Sequence, residues 1–168
     1  FEKTFFNLII YEKKKNLISS GVIAENKKAK FDYFIQDTIE TGLILFGTEV
    51  KSLRLGKVSI RESYVGDSQG KLVMFNANIL EYPPANQFNH ESKRKRELLV
   101  TKKQRDKLLG LVKRDGMTLV PMTLYFNDKG LVKLKLGIAK GRKQHDKREL
   151  IKQRDWDRQK AIIIKNHS

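Results

Sequence analysis

The amino-acid sequence predicts a mainly β protein that closes into a small antiparallel barrel. Between residues 31 and 139, runs of aromatic and β-branched residues alternate with turn residues, as in a series of short strands. Gly42 and Gly47 interrupt the first run, which is typical of a bulge or sharp bend where a sheet closes. Two short helix patterns lie between the runs. We therefore expect an OB-like barrel over residues 19–139, with two or three short peripheral helices and a basic C-terminal tail over residues 140–168.

The first half of the predicted barrel contains a long strand region, a helix and a hairpin. The strand region is FDYFIQDTIETGLILFG, which begins at Phe31. The helix is TEVKSLRLG, where we expect Thr48 to cap the N-terminus and Gly56 to take the left-handed position at the C-terminus. The hairpin joins SYVGD to KLVMFNANILEY through a turn at residues 68–70.

The second half begins with a loop, PPANQFNHESKRKR, and continues with the clearest helix pattern, residues 101–116. Thr101 followed by Gln104 forms a capping box, and Gly116 ends the helix. The apolar side of this helix is formed by Leu108, Leu109, Leu111 and Val112.

Two final strands, LVPMTLYF and LVKLKLGIAK, are joined by the turn NDKG. One face of the first strand is predicted to carry Val120, Met122, Leu124 and Phe126. In the second strand, Lys133 and Lys135 alternate with apolar residues, so both lysines should lie on the outer face. Because the strand leads directly into AKGRK, a continuous basic stripe is expected there in preference to scattered solubilising lysines.

Charge is the most informative property of the composition. The 168 residues include 35 Lys and Arg against 19 Asp and Glu, which gives a formal net charge of +16. Such a charge implies a polyanionic partner, with nucleic acid as the first candidate and an anionic membrane surface as the second. No stretch approaches the roughly 20 apolar residues that cross a bilayer. The absence of Cys excludes disulfides and thiol chemistry and fits a cytoplasmic location.

The two ends of the chain are predicted to differ from the barrel. Residues 1–18 form a poorly defined extension, whose short apolar run lacks the pattern of a signal peptide. In residues 140–168 the charges alternate in sign, and Leu150, Ile151 and Trp156 do not form a continuous apolar stripe. Because an isolated polar helix is marginal in water, we expect this tail to be disordered when free and helical with a polyanionic partner. There, Trp156 and His145 can stack on bases.

The sequence favours a binding protein over an enzyme. The three His, at positions 90, 145 and 167, lack metal-ligand spacing, and no phosphate-binding loop of the type GxxxxGK[ST] is present. We interpret the adjacent pair His145 and Asp146 as neighbours and not as a catalytic dyad. We therefore expect no catalysis, no metal and no cofactor.

Several segments together resemble the SsrA-binding protein (small protein B, SmpB) family. They are NKKAKFDYFI, ETGLILFGTEVKSLRLGKVSI followed by ESYV, FNHESKRKRELLV, TLVPMTLYF and GIAKGRKQHDKRELIKQRDW, which span roughly residues 19 to 165. GTEVKSLR, AKGRKQHDKR and RDW in this order form a highly specific combination. The resemblance implies an OB-type barrel that binds the tRNA-like domain of transfer-messenger RNA (tmRNA, or SsrA RNA) and delivers it to stalled ribosomes for trans-translation. It also implies a monomer, one per tmRNA.

The resemblance implies two groups of functional residues. Those expected to bind tmRNA are Asn26, Lys27, Lys28, Lys30, Glu40, Leu99, Lys133, Lys135 and Lys140. Those expected to meet small-subunit ribosomal RNA in the decoding centre and the empty mRNA channel are Arg142, Lys143, His145, Asp146, Lys147, Arg148, Arg154, Asp155 and Trp156. Residues 1–15 have no clear counterpart in the family pattern, and Glu97 stands where a basic residue is usual.

Two other interpretations remain open from the sequence. A generic OB-fold protein that binds single-stranded nucleic acid would need only the barrel and the basic stripe. A membrane-surface protein would need an amphipathic face, which the tail lacks.

Overall fold

The fold is known from a computed structural model that describes residues 17–166. The strands are β1 (Gly21–Glu25), β2 (Tyr33–Leu43), β3 (Val58–Ser59), β4 (Tyr64–Ser68), β5 (Lys71–Phe75), β6 (Asn78–Ile79), β7 (Arg96–Leu99), β8 (Thr118–Phe126) and β9 (Val132–Gly141). The α-helices are α1 (Lys27–Asp32), α2 (Gly47–Arg54), α3 (Lys102–Asp115) and α4 (Gln144–Asn166), and a 3₁₀ segment covers Pro83–Phe88.

The main sheet closes on itself into an antiparallel barrel. Its hydrogen-bonded neighbours follow the order β1-β8-β4-β5-β7-β2-β9, and β9 also pairs with β8. This last pairing completes a ring of six strands, while β1 extends the sheet along β8. The two pairings of β9, with β2 and with β8, make it the central strand of one wall. The mainly β barrel with short peripheral helices is therefore confirmed.

Strand β9 shows the predicted alternation. Leu134, Leu136 and Ile138 are buried in the barrel core, whereas Lys135 is exposed and Lys133 is half-buried at the surface. Each inward side chain removes apolar surface from water, and burial of one Leu or Ile contributes about 1.5–3 kcal/mol. The lysines consequently occupy the outer face of the barrel.

The prediction that alternate residues of β8 share one face is wrong. Leu124 and Phe126 belong to the main core, but Val120 and Met122 join a separate small cluster with Ala29 and Ala139. The register of β8 against β9 shifts between Pro121 and Thr123, so a bulge interrupts the alternation there. A second bulge lies between Ile35 and Asp37 of β2, and not at the glycines where a bend was expected.

The glycines of the first strand region have other roles. Gly42 lies within β2, where an added Cβ would approach the Leu99 Cβ to 3.2 Å, so its small size permits close packing of β7. Gly47 is the first residue of α2.

Helix α3 confirms the sequence prediction in detail. The Thr101 hydroxyl accepts a hydrogen bond from the Gln104 amide, and the Gln104 side chain accepts one from the Thr101 amide. Gly116 follows in the left-handed conformation at φ +62°, and Leu108 on the inner side of the helix is buried. The predicted hairpin is also present as β4 and β5, with positive φ at Gln69 and Gly70 in its turn.

Helix α2 begins differently from the prediction. Thr48 does not cap it: the Glu49 carboxylate accepts a hydrogen bond from the Phe46 amide at 2.7 Å, and Phe46 occupies the N-cap position. The Thr48 hydroxyl instead lies 2.9 Å from Nδ1 of His90. The end of the helix agrees with the prediction, because Gly56 has φ +69°.

Helix α1 was not predicted, and it takes Phe31 and Asp32 from the expected strand. Asn26 caps this helix by accepting a hydrogen bond from the Ala29 amide at 3.1 Å. Only Ala29 of the six helical residues is buried, so the sequence carries no amphipathic pattern by which to recognise the helix.

The N-terminal extension predicted for residues 1–18 lies largely outside the described residues. Within the described part, the Ile18 amide donates to the Arg54 carbonyl at 2.8 Å, and the Ile18 side chain packs against the barrel core.

The C-terminal tail contains α4, a 23-residue helix whose described side chains are almost all exposed. Its dependence on a partner for order stays a prediction. Among residues 17–166, no helix is both long and apolar enough to cross a membrane.

Candidate nucleic-acid interface

Strand pairing brings three of the predicted RNA-binding residues to one place on the outer face. Gly42 of β2 pairs with Leu99 of β7 on one side and with Lys133 of β9 on the other. Lys133 in turn pairs with Tyr125 of β8. The result is a row of outward positions across four strands, assembled from segments that lie far apart in the sequence. Leu99, more than half exposed, supplies an apolar surface at one end of this row.

Glu40 lies beside this row, where two neighbours hold its carboxylate. Its Oε1 atom is 3.7 Å from Lys133 Nζ, and its Oε2 atom accepts a hydrogen bond from the Tyr125 hydroxyl. Partial burial, with this hydrogen bond and the negative charge of Glu40, raises the pKa of Tyr125 to about 12. The phenol therefore keeps its proton at neutral pH. Glu40 thus orients both a cation and a hydroxyl on the surface.

A second row of paired positions contains Lys135. Lys135 pairs with Glu40 on β2 and with Thr123 on β8. Nearer the end of β9, Lys140 pairs with Phe34 and is exposed. Lys133 and Lys135 form a basic stripe on the outer face, but the buried Gly137 and Ala139 separate it from Lys140, so the predicted continuous stripe is interrupted.

Helix α1 carries three further lysines, of which Lys30 lines the same depression as Lys135. Lys27 is exposed, Lys28 lies 3.7 Å from Glu62, and Lys30 lies 3.5 Å from Glu25. These are surface ion pairs, which are weak and can be exchanged for contacts with phosphate.

Asn26 differs from the lysines that follow it. Its side chain is buried, accepts the Ala29 amide and donates to the Pro121 carbonyl at 3.2 Å. The structure therefore gives Asn26 a local role, the fixing of α1 against β8. Direct contact between Asn26 and RNA stays an untested prediction.

The start of the tail is fixed to the barrel by Arg142. Its amide donates to the Asp32 carbonyl at 3.0 Å and its Nε to the Tyr33 carbonyl at 3.3 Å, while the guanidinium lies 5.6 Å from the centre of the Phe34 ring. Lys143 next to it is exposed. This anchor sets the direction in which α4 leaves the barrel.

Two side chains in the first half of helix α4 contact the body. Lys147 forms an ion pair with Asp32 at 3.2 Å, and the Arg154 guanidinium lies 5.3 Å from the centre of the Phe31 ring. The side chain of His145 lies 4.0 Å from Asp146 and 3.6 Å from Glu149. Trp156 is more than half exposed, with Lys160 over its ring, and Asp155 and Arg148 are also exposed. The predicted tail residues thus lie on a helix that presents most of them to solvent.

Sequence reasoning missed two residues of this face, Tyr125 and Phe34. In the sequence, Tyr125 belongs to a mostly apolar strand, and no local pattern pairs it with Glu40, which is 85 positions away. Phe34 belongs to the expected strand region, and the residue is 55% exposed. Strand alternation places Tyr125 on the outer face beside Lys133, but it does not identify Phe34, because its neighbour Ile35 takes the outward position opposite Ala139.

Within residues 17–166, no three His, Cys, Asp or Glu side chains are grouped as a metal site would require. His90 is buried and bonded to Thr48 and to the Ile79 carbonyl, which gives it a structural role.

The fold and this surface define a class of protein: a small basic β-barrel with a cationic strand face and an exposed helical tail. The chain belongs to the SmpB family, because the family model described as "SmpB protein" matches residues 23–166.

Individual relatives agree with this assignment. The chain is 55% identical over 152 residues to the SsrA-binding protein of Nitrobacter hamburgensis, with 90% of this chain and 97% of the relative covered. It is 55% identical over 146 residues to the SsrA-binding protein of Caulobacter vibrioides, with 87% and 96% covered. A chain of the solved structure described as "tmRNA-SmpB: a journey to the center of the bacterial ribosome" superimposes with a TM-score of 0.62 at 40% identity, covering 79% of this chain and 94% of that one.

Proposed function

We propose that this protein binds the tRNA-like domain of tmRNA with its barrel and delivers that RNA to stalled ribosomes for trans-translation. Its tail occupies the decoding centre and the empty mRNA channel, where it contacts small-subunit ribosomal RNA. It acts in the cytoplasm as a monomeric binding protein, one per tmRNA, and not as an enzyme.

One observation carries the proposal: the strand register assembles Leu99, Lys133 and Glu40 on one outer face. The resemblance to the family implied a role in RNA binding for each of these residues separately. Their convergence gives them a common surface, with a cation for phosphate, an apolar patch for a sugar or base, and a carboxylate that fixes the cation.

Charge supports the division between barrel and tail. Residues 144–168 contain seven Lys or Arg and four Asp or Glu, so they account for only +3 of the net charge of +16. The excess positive charge therefore lies mainly on the barrel and the segments flanking it. Since phosphate neutralisation dominates binding to folded RNA, the barrel is the principal RNA-binding part.

A gel-shift comparison tests the proposal. At physiological salt, the full chain should bind the tRNA-like domain of tmRNA at least about tenfold more tightly than an unrelated structured RNA of equal length, because sequence-independent phosphate contacts serve both RNAs alike. Equal affinity for the two RNAs would instead favour the generic nucleic-acid-binding protein.

A matched pair of variants locates the interface. Lys133→Glu should weaken tmRNA binding about tenfold or more, because it replaces a phosphate contact by a repulsive charge beside Glu40. Lys113→Glu changes the net charge by the same amount on helix α3, where the side chain is exposed, and should have a much smaller effect. Equal losses from both variants would argue against a specific face, and unfolding of Lys133→Glu, detected by circular dichroism, would argue against the outward assignment.

A further inference from the structure

Part of the outer face of the barrel is apolar. The bulge between Ile35 and Asp37 and the bulge between Pro121 and Thr123 turn Ile35 and Met122 away from the main core into the small cluster beside β9. Bulges redirect side chains in this way and are frequent next to functional sites.

Gly137 of β9 allows the two side chains to meet. A Cβ added at Gly137 would lie 3.1 Å from Met122 Cγ and 3.4 Å from Ile35 Cδ1. The missing side chain therefore leaves room for Met122 and Ile35 to cover the β9 backbone. Ile35 and Met122 form the apolar floor of a depression of about 400 Å³.

The rim of the depression is aromatic and cationic. Phe34, a residue that is 55% exposed, lines one side as a wall. Lys30, Lys135 and Arg142 stand around it, and the Arg142 guanidinium faces the Phe34 ring at 5.6 Å. A flat apolar floor with an aromatic wall suits a nucleobase, and three surrounding cations suit the phosphates on either side of it.

We propose that this depression is the binding site for a single unstacked nucleotide of the bound RNA. The base would lie on Ile35, Met122 and Phe34. The phosphates would lie near Lys30, Lys135 and Arg142. The inference rests on the proposed function, since it names the part of the RNA that this face receives. It assigns part of the affinity to Phe34, a residue without charge, in addition to the basic stripe. Sequence-tolerant base stacking on an aromatic side chain is a general mode of single-strand recognition.

Methyl NMR of the full chain, carrying labelled Ile and Met methyl groups, tests where the base lies. Addition of the tRNA-like domain of tmRNA should shift the Ile35 and Met122 methyl signals upfield, because a stacked base exerts a ring current on them. The Ile60 methyl, buried in the barrel core, is the internal control and should not move. Silent Ile35 and Met122 methyls in a sample saturated with that RNA would overturn the proposal.

Two substitutions of Phe34 test how much stacking on its ring contributes to RNA affinity. Phe34→Ala should weaken binding of the tRNA-like domain about tenfold, in the range found for loss of one stacking partner, with the salt dependence unchanged because no charge is removed. Phe34→Tyr keeps the ring and should bind like the unaltered protein. Because Phe34 is more than half exposed, both variants should fold, and thermal unfolding checks this. Wild-type affinity in the folded Phe34→Ala variant would overturn the role of the wall.

A free nucleotide and an unrelated RNA separate the remaining outcomes. Adenosine monophosphate should move the same methyls only weakly at millimolar concentration; a stronger response to it than to RNA would overturn the assignment to bound RNA. If the unaltered protein fails to prefer the tRNA-like domain, the proposed function falls. Titration of the unrelated RNA, followed at the same methyl signals, then still tests the nucleotide-binding site. An upfield shift of these signals supports the site, and unchanged signals overturn it.

Discussion

Glu49 is fully buried, and it keeps its charge because two guanidinium groups enclose it. Its Oε1 atom lies 2.8 Å from Arg96 Nε, and its Oε2 atom lies 2.8 Å from Arg94 Nη2. Arg96 is also fully buried and donates to the carbonyls of Ala77 and Ser92. The network therefore ties α2 to β7, the strand that ends at Leu99 and contributes to the candidate interface.

A first prediction concerns the contribution of this network to the stability of the fold. Glu49→Gln leaves the buried Arg96 guanidinium without a counter-charge, so it should lower the free energy of unfolding by about 3 kcal/mol. The measurement is urea unfolding followed by circular dichroism. Glu62→Gln is the matched control, since that side chain is 64% exposed, and it should change stability by less than about 0.5 kcal/mol. Similar effects of the two substitutions would show that the network contributes no more than a surface pair.

The protonation of Glu49 makes a second prediction, about pH. Burial alone raises the pKa of Glu49, but hydrogen bonds from Arg94 and the Phe46 amide, with the charge of Arg96, outweigh it and hold that pKa below the ordinary value of 4.5. A lowered folded-state pKa means that the stabilisation is complete above pH 4.5 and is lost as the pH falls through the folded-state pKa. The difference in unfolding free energy between the unaltered protein and Glu49→Gln should therefore be constant from pH 6 to 8 and shrink below pH 4.5. A difference that grows on acidification would contradict this sign.

At the scale of elements, prediction from sequence succeeded where local chemistry decides the structure. The capping box and terminal Gly of α3 are complete within one segment, and so is the alternation of β9. It failed where a partner strand decides. The bulges of β2 and β8 arise from their register against β9, and α1 is held by the bonds of Asn26 to β8. Local propensity carries no record of either interaction.

The candidate site follows the same division. Individual residues such as Lys133 and Trp156 could be selected from the sequence and its family resemblance. The contact of Glu40 with Tyr125, and the meeting of Ile35 with Met122 over Gly137, depend on which strands are neighbours. Such contacts become visible only when the barrel is assembled.

A further prediction concerns the stability of helix α4 in the free protein. In the described part of the chain, Lys147 and Arg154 of this helix contact the body, and a mostly polar helix of this length is marginal in water. Backbone amides of residues 157–166 should therefore exchange with solvent nearly as fast as an unfolded chain, and ribosomes should slow this exchange. Hydrogen exchange monitored by mass spectrometry measures both states, with α3 as an internal control because its Leu108 is buried. Protection equal to that of α3 in the absence of ribosomes would contradict the idea of a tail that becomes ordered on its partner.

At the scale of the whole molecule, the barrel and the tail are connected through few contacts. Arg142 bonds to the backbone of Asp32 and Tyr33, and Lys147 pairs with the Asp32 side chain. Asp32 ends α1, the helix that carries Lys27, Lys28 and Lys30. RNA bound at α1 and the direction of the tail are therefore linked through one short helix, although the two parts have different proposed partners.

Separate partners for barrel and tail predict separable activities. Truncation after Lys143 removes α4 but keeps Arg142 and its bonds to the barrel, so the outer face and its charge are retained. Because residues 144–168 supply only +3 of the net charge, affinity for the tRNA-like domain should stay within about threefold of the full chain. Release of stalled ribosomes in a reconstituted translation reaction should nevertheless be abolished, since the segment proposed to occupy the mRNA channel is missing. Lys133→Glu in the full chain is the complementary variant, which should lose RNA binding while the tail is intact. Full rescue by the truncated protein would show that the barrel suffices, and loss of RNA binding on truncation would show that α4 belongs to the tmRNA interface.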